Sequence, residues 1–357
     1  GVAEMLHSLV PLFNDAGIKT RWEVIEGTSS FFDTTKQIHN AMQGGRVEFD
    51  KDMQKEYERI NQQNAELLDF NADVVVIHDP QPLPLIDYNT KKSPWIWRCH
   101  IDFSAPDKGV WAMLKPFVAR YDAMVISSES FMKHELSVLT SIIPPATDPF
   151  SAINRDLSQE AVAAKLAEYD IPQGVPLIAQ VSRFDKWKDP LGVLEAFRRV
   201  RQETDCHLVM LGNMASDDPE GPKIYADVAA QADKLDGVQL ITESDPLLVN
   251  ALQRTAAVVL QLSRKEGFGL TVSEALWKGT PVVATRVGGI PLQIEDGRTG
   301  FLVDYADYDA VAERVLQILG DPDLGVELGR EGREHVRKNF LMPRLLLDWL
   351  QVLAKVS

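Results

Sequence analysis

Cysteine is scarce: the 357 residues hold two, Cys99 and Cys206. They lie far apart and form no C-x-x-C, so neither a disulfide framework nor a zinc site is expected, and a reducing cytoplasm fits. No run approaches the roughly 20 apolar residues of a membrane span, and no secretory signal pattern opens the chain. A membrane is therefore not an expected partner. Positive charge is also short, with 37 Lys and Arg against 52 Asp and Glu for a formal net charge of -15. Proteins that track phosphate backbones need a basic face, so nucleic acid is excluded as well. A small anionic ligand is still allowed if a few cations are gathered locally. There is no H-E-x-x-H, no P-loop, no G-x-S-x-G and no cluster of metal ligands, which removes support for metalloprotease, kinase-type and α/β-hydrolase chemistry.

What is present is an ordinary globular composition, 45% hydrophobic and 25% charged, in a chain long enough for two domains. It opens at Gly1, without a methionine, directly into an amphipathic helix over 2–16 with Met5, Leu6, Leu9, Val10 and Phe13 on the apolar side, so an upstream segment is expected. The first half then alternates. Thr20 to Ile25 reads as a strand, 31–68 as a long helical and polar region broken at Gly44-Gly45. The runs 73–78, 94–100 and 123–127 read as buried parallel strands that deliver polar groups at their carboxyl ends. Four strand candidates separated by helices predict a doubly wound α/β sheet.

The proline-rich run 143–149 reads as an interdomain linker. A second alternating series follows, with strands at 177–181, 207–211, 238–241 and 256–262 and helices between them. The expected domains are 1–150, 151–340 and a terminal helical segment, 341–357. Pro343 opens that helix, whose Leu346, Trp349, Leu350 and Leu353 share one face. Packing back on the first domain and docking on the second are both open to it.

The stretch 264–274, Arg-Lys-Glu-Gly-Phe-Gly-Leu-Thr-Val-Ser-Glu, joins the strand at 256–262 to a helix pattern at 272–278. Gly267 and Gly269 allow a tight turn and leave room for a ligand, and Thr271 with Glu274 has the spacing of a capping box. A helix N-terminus pointing into the same space makes an anion site. Arg183 and Lys188 follow the end of another strand and could face a diphosphate. Hydrogen bonds to charged groups contribute roughly 1.5–3 kcal/mol each, against about 0.3–1 kcal/mol for an exposed helix dipole, so the two cations would dominate. Glu266 and Glu274 fit hydroxyl acceptors better than a glycosidase-type carboxylate pair, because Glu274 has a capping role open to it. In the first half, His78, Asp79 and Gln81 cluster at one strand end and His100 with Asp102 at another. Each histidine reads as structural or, with both strand ends facing one crevice, as part of a site for a hydroxylated ligand.

Together, Arg183 with Lys188, the 266–274 loop, Val287-Gly-Gly-Ile290 and the run 296–303 (Asp-Gly-Arg-Thr-Gly-Phe-Leu-Val) resemble the retaining GT-B glycosyltransferases of family 4. The first half resembles a narrower group, the trehalose glycosyltransferring synthases. The stretches that carry this are 1–4, 21–27, His39-Asn40 with Gln43-Gly44, 78–82 and 95–102. The resemblance implies a GT-B fold: two Rossmann-like doubly wound domains facing across a cleft. It implies transfer of glucose, with retained configuration, from a nucleoside-diphosphate glucose to free glucose, giving trehalose, reversibly and with no cofactor or metal. Arg183 and Lys188 would neutralise the donor diphosphate, and the backbone of Gly267, Phe268, Gly269 and Leu270 would approach the donor. Glu266 would accept from glucose hydroxyls, Glu274 from the ribose, and His100 would contact the donor glucose. Asp79 and Gln81, with Glu26 behind them, would hold acceptor hydroxyls. The family also has a strand and a glycine-rich loop ahead of its first helix, of which Gly1-Val2 corresponds to the end. A trehalose phosphorylase that uses inorganic phosphate, and a non-catalytic sugar or nucleotide sensor, are the rival readings. A homodimer is an open expectation.

Overall fold

A computed structural model of the chain describes residues 2–212 and 221–356; Gly1 of the 1–4 motif lies outside them. Contacts divide the chain into two compact units, Gly1–Pro145 with Met342–Ser357, and Ala146–Leu341. In the first unit, α1 (Val2–Asp15) buries Met5, Leu6, Leu9 and Phe13. Two capped helices follow. The Thr28 hydroxyl accepts from Phe31 N–H at the start of α2 (Ser29–Met42), and the Asp50 carboxylate accepts from Asp52 and Met53 N–H at the start of α3 (Lys51–Leu67). Next come β1 (Val75–His78), β2 (Trp95–Arg98), α4 (Lys108–Val118), β3 (Ala123–Ile126) and β4 (Leu139–Ile142). The sheet is all parallel in the order β1-β2-β3-β4, with His78 opposite Arg98 at its carboxyl edge. β2 and β3 are buried on both faces, as an interior parallel strand must be.

The sheet has the expected four strands, but one is different. Thr20–Ile25 forms no strand. Its Val24 is 69% exposed, and Arg21 is drawn aside by Glu23 and Asp69. The backbone of the adjoining Glu26 is taken by one side chain: Asn64 Oδ1 accepts its N–H at 2.8 Å and Asn64 Nδ2 donates to its C=O at 2.8 Å. An amide on α3 thus does locally what a neighbouring strand would do. The fourth strand is instead β4, Leu-Thr-Ser-Ile, partly exposed at the sheet edge and without an apolar run to announce it.

The second unit contains α5 (Gln159–Ala167), β5 (Leu177–Val181), α6 (Pro190–Glu203), β6 (His207–Leu211), α7 (Gly221–Ala232), β7 (Val238–Ile241), α8 (Pro246–Thr255) and β8 (Val258–Gln261). It continues with α9 (Leu270–Trp277), β9 (Val282–Thr285), β10 (Phe301–Val303), α10 (Tyr308–Gly320) and α11 (Pro322–Asn339). Its parallel order is β10-β9-β8-β5-β6-β7, so the winding reverses between β5 and β8. Ligands of open α/β sheets bind where such a reversal parts the carboxyl ends of two strands.

The last helix, α12 (Met342–Val356), belongs to the first unit and packs on α1. Its buried stripe is Met342, Leu345, Trp349 and Val352, rotated from the expected one; of that set Trp349 is fully covered, while Leu346, Leu350 and Leu353 flank it half-buried. Arg344 sets this rotation by donating to the carbonyls of Pro144 and Pro145 at 2.8 and 2.9 Å.

Candidate active site

β5 ends by handing the chain to Ser182 and Arg183. Asp185, buried, accepts from Trp187 N–H at 2.8 Å and so curls 186–188 into a single 3-10 turn. Gln180 on β5 donates to the Lys188 carbonyl at 3.1 Å, fixing the far end of that turn. Lys188 is thereby carried from the end of β5 to the end of β8, where its ammonium contacts Glu266 Oε2. The same oxygen accepts from Ser263 Oγ at 3.1 Å and Gln261 Nε2 at 3.2 Å, so cation and neutral donors converge on one carboxylate. The pair is 19% and 11% exposed. Arg183, 41% exposed, reaches Asp185 at 3.4 Å.

The capping box does not form. Gly269, at φ 84°, is the N-cap of α9 and offers no side chain; Thr271 Oγ1 donates instead to the Val181 carbonyl at 3.2 Å, and Glu274 lies a turn inside the helix. Thr271 therefore ties the start of α9 to the end of β5. Glycine is required behind the loop as well. A Cβ on Gly288 would stand 1.6 Å from the Glu266 carbonyl oxygen, and one on Gly289 2.7 Å from that of Gly267. Gln293, fully buried, donates to the Phe268 carbonyl and accepts from the Ser273 hydroxyl, holding the outer turn of the loop to the start of α9. Gln180, Asp185, Gln261, Ser263 and Gln293 have no motif signal. The available hint was a polar residue inside an apolar strand, at 180 and 261.

In the first unit the polar groups collect at the carboxyl edges of β1 and β2. Asp79 takes the left-handed region at φ 64°. It is held there by its N–H to the Arg98 carbonyl at 2.8 Å, by Trp97 Nε1 donating to its carbonyl at 2.9 Å, and by His100 N–H donating to its carboxylate at 2.7 Å. His78 Nδ1 and His100 Nε2 are 3.1 Å apart. Arg98 is 1% exposed; it donates to Ser127 Oγ at 3.2 Å and leaves Nη1 without a partner. Gln81 is half-buried and its carbonyl accepts from Asn61. Glu26 is exposed, its backbone bound by Asn64 as described. Asp102, buried, turns to Ser104 rather than to His100, accepting from its N–H and its hydroxyl. Among the described residues no group of three or more His, Cys, Asp or Glu could hold a metal, and no helix is long and apolar enough to cross a membrane.

Burial and then the Arg98 charge push His78 down from 6.5 to about 3 and hold His100 well below its ordinary value. Burial pushes Asp79 up to about 6, against the His100 N–H and Arg98. An unfolded histidine gains its proton near 6.5 while these two stay neutral, so the stability they contribute is full above 6.5 and falls as pH drops toward 3. Asp79 acts oppositely between about 4 and 6, where the folded chain keeps a proton the unfolded chain has lost. Two histidines outweigh one carboxyl. The urea midpoint of the first unit is expected to fall as pH decreases from about 6.5 to 4, less steeply in His78→Phe; a flat parent profile would refute the buried neutral pair.

The fold is that of solved GT-B enzymes. A UDP-forming alpha,alpha-trehalose-phosphate synthase from Burkholderia vietnamiensis superposes with a TM-score of 0.75 at 17% identity, over 92% of this chain and 83% of that one. Two Rossmann-like units, with cations and a glycine loop at the strand reversal of the second, define a GT-B glycosyltransferase. Residues 1–133 match the family described as the trehalose synthase N-terminal domain, and residues 163–335 match glycosyl transferases group 1. The trehalose synthase of Thermococcus litoralis is 42% identical over 99% of this chain and 87% of its own length. The chain belongs to the trehalose synthase family. A trehalose phosphorylase from Grifola frondosa is more distant, 30% identical, with the match spanning 53% of that protein.

Proposed function

We propose that the protein transfers glucose from a nucleoside-diphosphate glucose to free glucose, forming trehalose reversibly and with retained configuration. The observation that carries this reading is the contact of Lys188 with Glu266 at the reversal point of the second sheet, where Arg183 follows the end of β5 and the 267–270 loop follows β8. Arg183 and Lys188 neutralise the charge that develops on the departing diphosphate, so no metal ion is needed for that role. Glu266, already within reach of Lys188, accepts from donor glucose hydroxyls, and Glu274 from the ribose. His100 meets the donor glucose, while Asp79 and Gln81, with Glu26 behind them, hold the acceptor. The bond between C1 and the phosphate oxygen breaks, its electrons go to the diphosphate, and the acceptor oxygen bonds C1 from the same face as its proton passes to the released phosphate oxygen. Membership of the trehalose synthase family supports this choice of sugars, and the greater distance to the phosphorylases supports a nucleotide donor.

Incubating trehalose separately with ADP, UDP or GDP and with inorganic phosphate tests the reading. Nucleoside-diphosphate glucose is expected from at least one nucleotide tube. Glucose 1-phosphate as the only product would overturn it in favour of a phosphorylase, and binding without turnover in every tube would favour a sensor.

A further inference from the structure

We propose that His78 is a positioning residue: its Nδ1 holds Nε2 of His100, fixes the tautomer of that ring, and leaves His100 Nδ1 as the atom that accepts from a sugar hydroxyl. The last clause rests on the reading of His100 as a sugar contact. The linkage of the two rings rests on their geometry.

The two rings are 13° from parallel, with centroids 5.3 Å apart and the facing nitrogens at 3.1 Å. One hydrogen fits between those nitrogens. Each neutral imidazole carries one ring proton, so the shared bond links the two tautomers. If His100 Nε2–H donates, His78 Nδ1 is bare and the His78 proton is on its Nε2; in the reverse arrangement both rings carry the proton on Nδ1. The rings must therefore match. Nε2–H is the ordinary preference of a neutral histidine, which makes His100 the donor to His78 and leaves His100 Nδ1 an acceptor.

Both rings are held neutral by their surroundings. Arg98 lies opposite His78 in the register, is itself buried, and opposes a second positive charge at the same strand ends. The backbone of His100 is fixed separately, by its N–H to the Asp79 carboxylate. Asp79 thus orients the main chain and His78 the ring.

The full chain, labelled with nitrogen-15 in its seven histidines, is read by NMR at neutral pH without ligand. His78→Phe and His100→Phe assign the two rings. Both are expected in the Nε2–H form, with the His100 ring nitrogens shifted in His78→Phe and kept in His78→Asn, whose amide oxygen can accept from Nε2–H. Transfer is expected to fall about 10-fold in kcat for His78→Phe, the scale of one hydrogen bond, and to be largely restored in His78→Asn. Unchanged His100 nitrogens in His78→Phe, two Nδ1–H rings, or unlike tautomers would each overturn the proposal. Should His78→Phe not fold, His78→Leu is read against His78→Asn in the same way. A parent that never turns over, with the linked ring signals present, would fault the transferase reading and leave the coupling of the rings established.

Discussion

Lys188→Ala is expected to lower kcat/KM for the nucleotide sugar by about 100- to 1000-fold, the usual consequence of removing one charge-stabilising donor from a transition state. Combined with Arg183→Ala, transfer should fall below detection. The difficulty is that Lys188 also neutralises Glu266, so its loss leaves a carboxylate that is only 11% exposed to Ser263 and Gln261 alone. That desolvation costs about 1–3 kcal/mol, and a folding defect could mimic a catalytic one. The double variant Lys188→Met with Glu266→Gln removes both charges together and should recover stability without recovering transfer. Steady-state kinetics with calorimetric titration of the nucleoside diphosphate check both statements. Activity within 10-fold of the parent for Lys188→Ala would remove the cation from the mechanism.

The largest stability effect is expected from Gly288→Ala. Gly288 sits at φ +53°, and the added carbon would meet the Glu266 carbonyl oxygen at 1.6 Å and its carbon at 2.7 Å. Both obstacles are backbone, so neither can rotate away. Overpacking and an unfavourable backbone region each cost about 1–3 kcal/mol, and a total of about 2–5 kcal/mol is expected. The strain falls on the loop that carries Glu266, so KM for the nucleotide sugar should rise together with the loss of stability. Gly329→Ala supplies the control, since its added carbon would stand 1.9 Å from the Gly279 carbonyl oxygen, where α11 packs at the far end of α9. It should destabilise comparably and leave KM unchanged. Urea midpoints and hydrogen exchange over 264–270 distinguish the two, and a Gly288→Ala protein within about 0.5 kcal/mol of the parent would show that the contact relaxes.

The glycine loop was legible because its signals are local. A strand end, two glycines and a following helix pattern lie within about twenty residues, and backbone conformation at a tight turn depends on the residues of that turn. The capping-box spacing of Thr271 and Glu274 is an equally local signal, yet the box does not form. Thr271 had a distant acceptor, Val181 C=O, at the end of β5. The Thr20–Ile25 strand failed for a related reason: hydrophobic pattern describes what a strand would bury, but a strand exists only where another backbone pairs with it, and here Asn64 claims the adjoining Glu26. For α12, the sequence indicated an apolar face, and the anchor of Arg344 on the Pro144 and Pro145 carbonyls chose its rotation.

By itself the sequence determined the α/β alternation, helices α6 to α9 and most strands of the second unit, and the positions of Arg183, Lys188, Glu266 and the glycine loop, since periodicity, turn chemistry and strand-end placement act over a few residues. Tertiary structure alone decided that Lys188 meets Glu266, that Gln293 holds the loop at Phe268 to the start of α9, and that His78 faces His100. Each of those pairs joins elements brought together by the order of strands in a sheet. The hydrogen-bond capacity of a single side chain does not say which partner the strand order will set beside it.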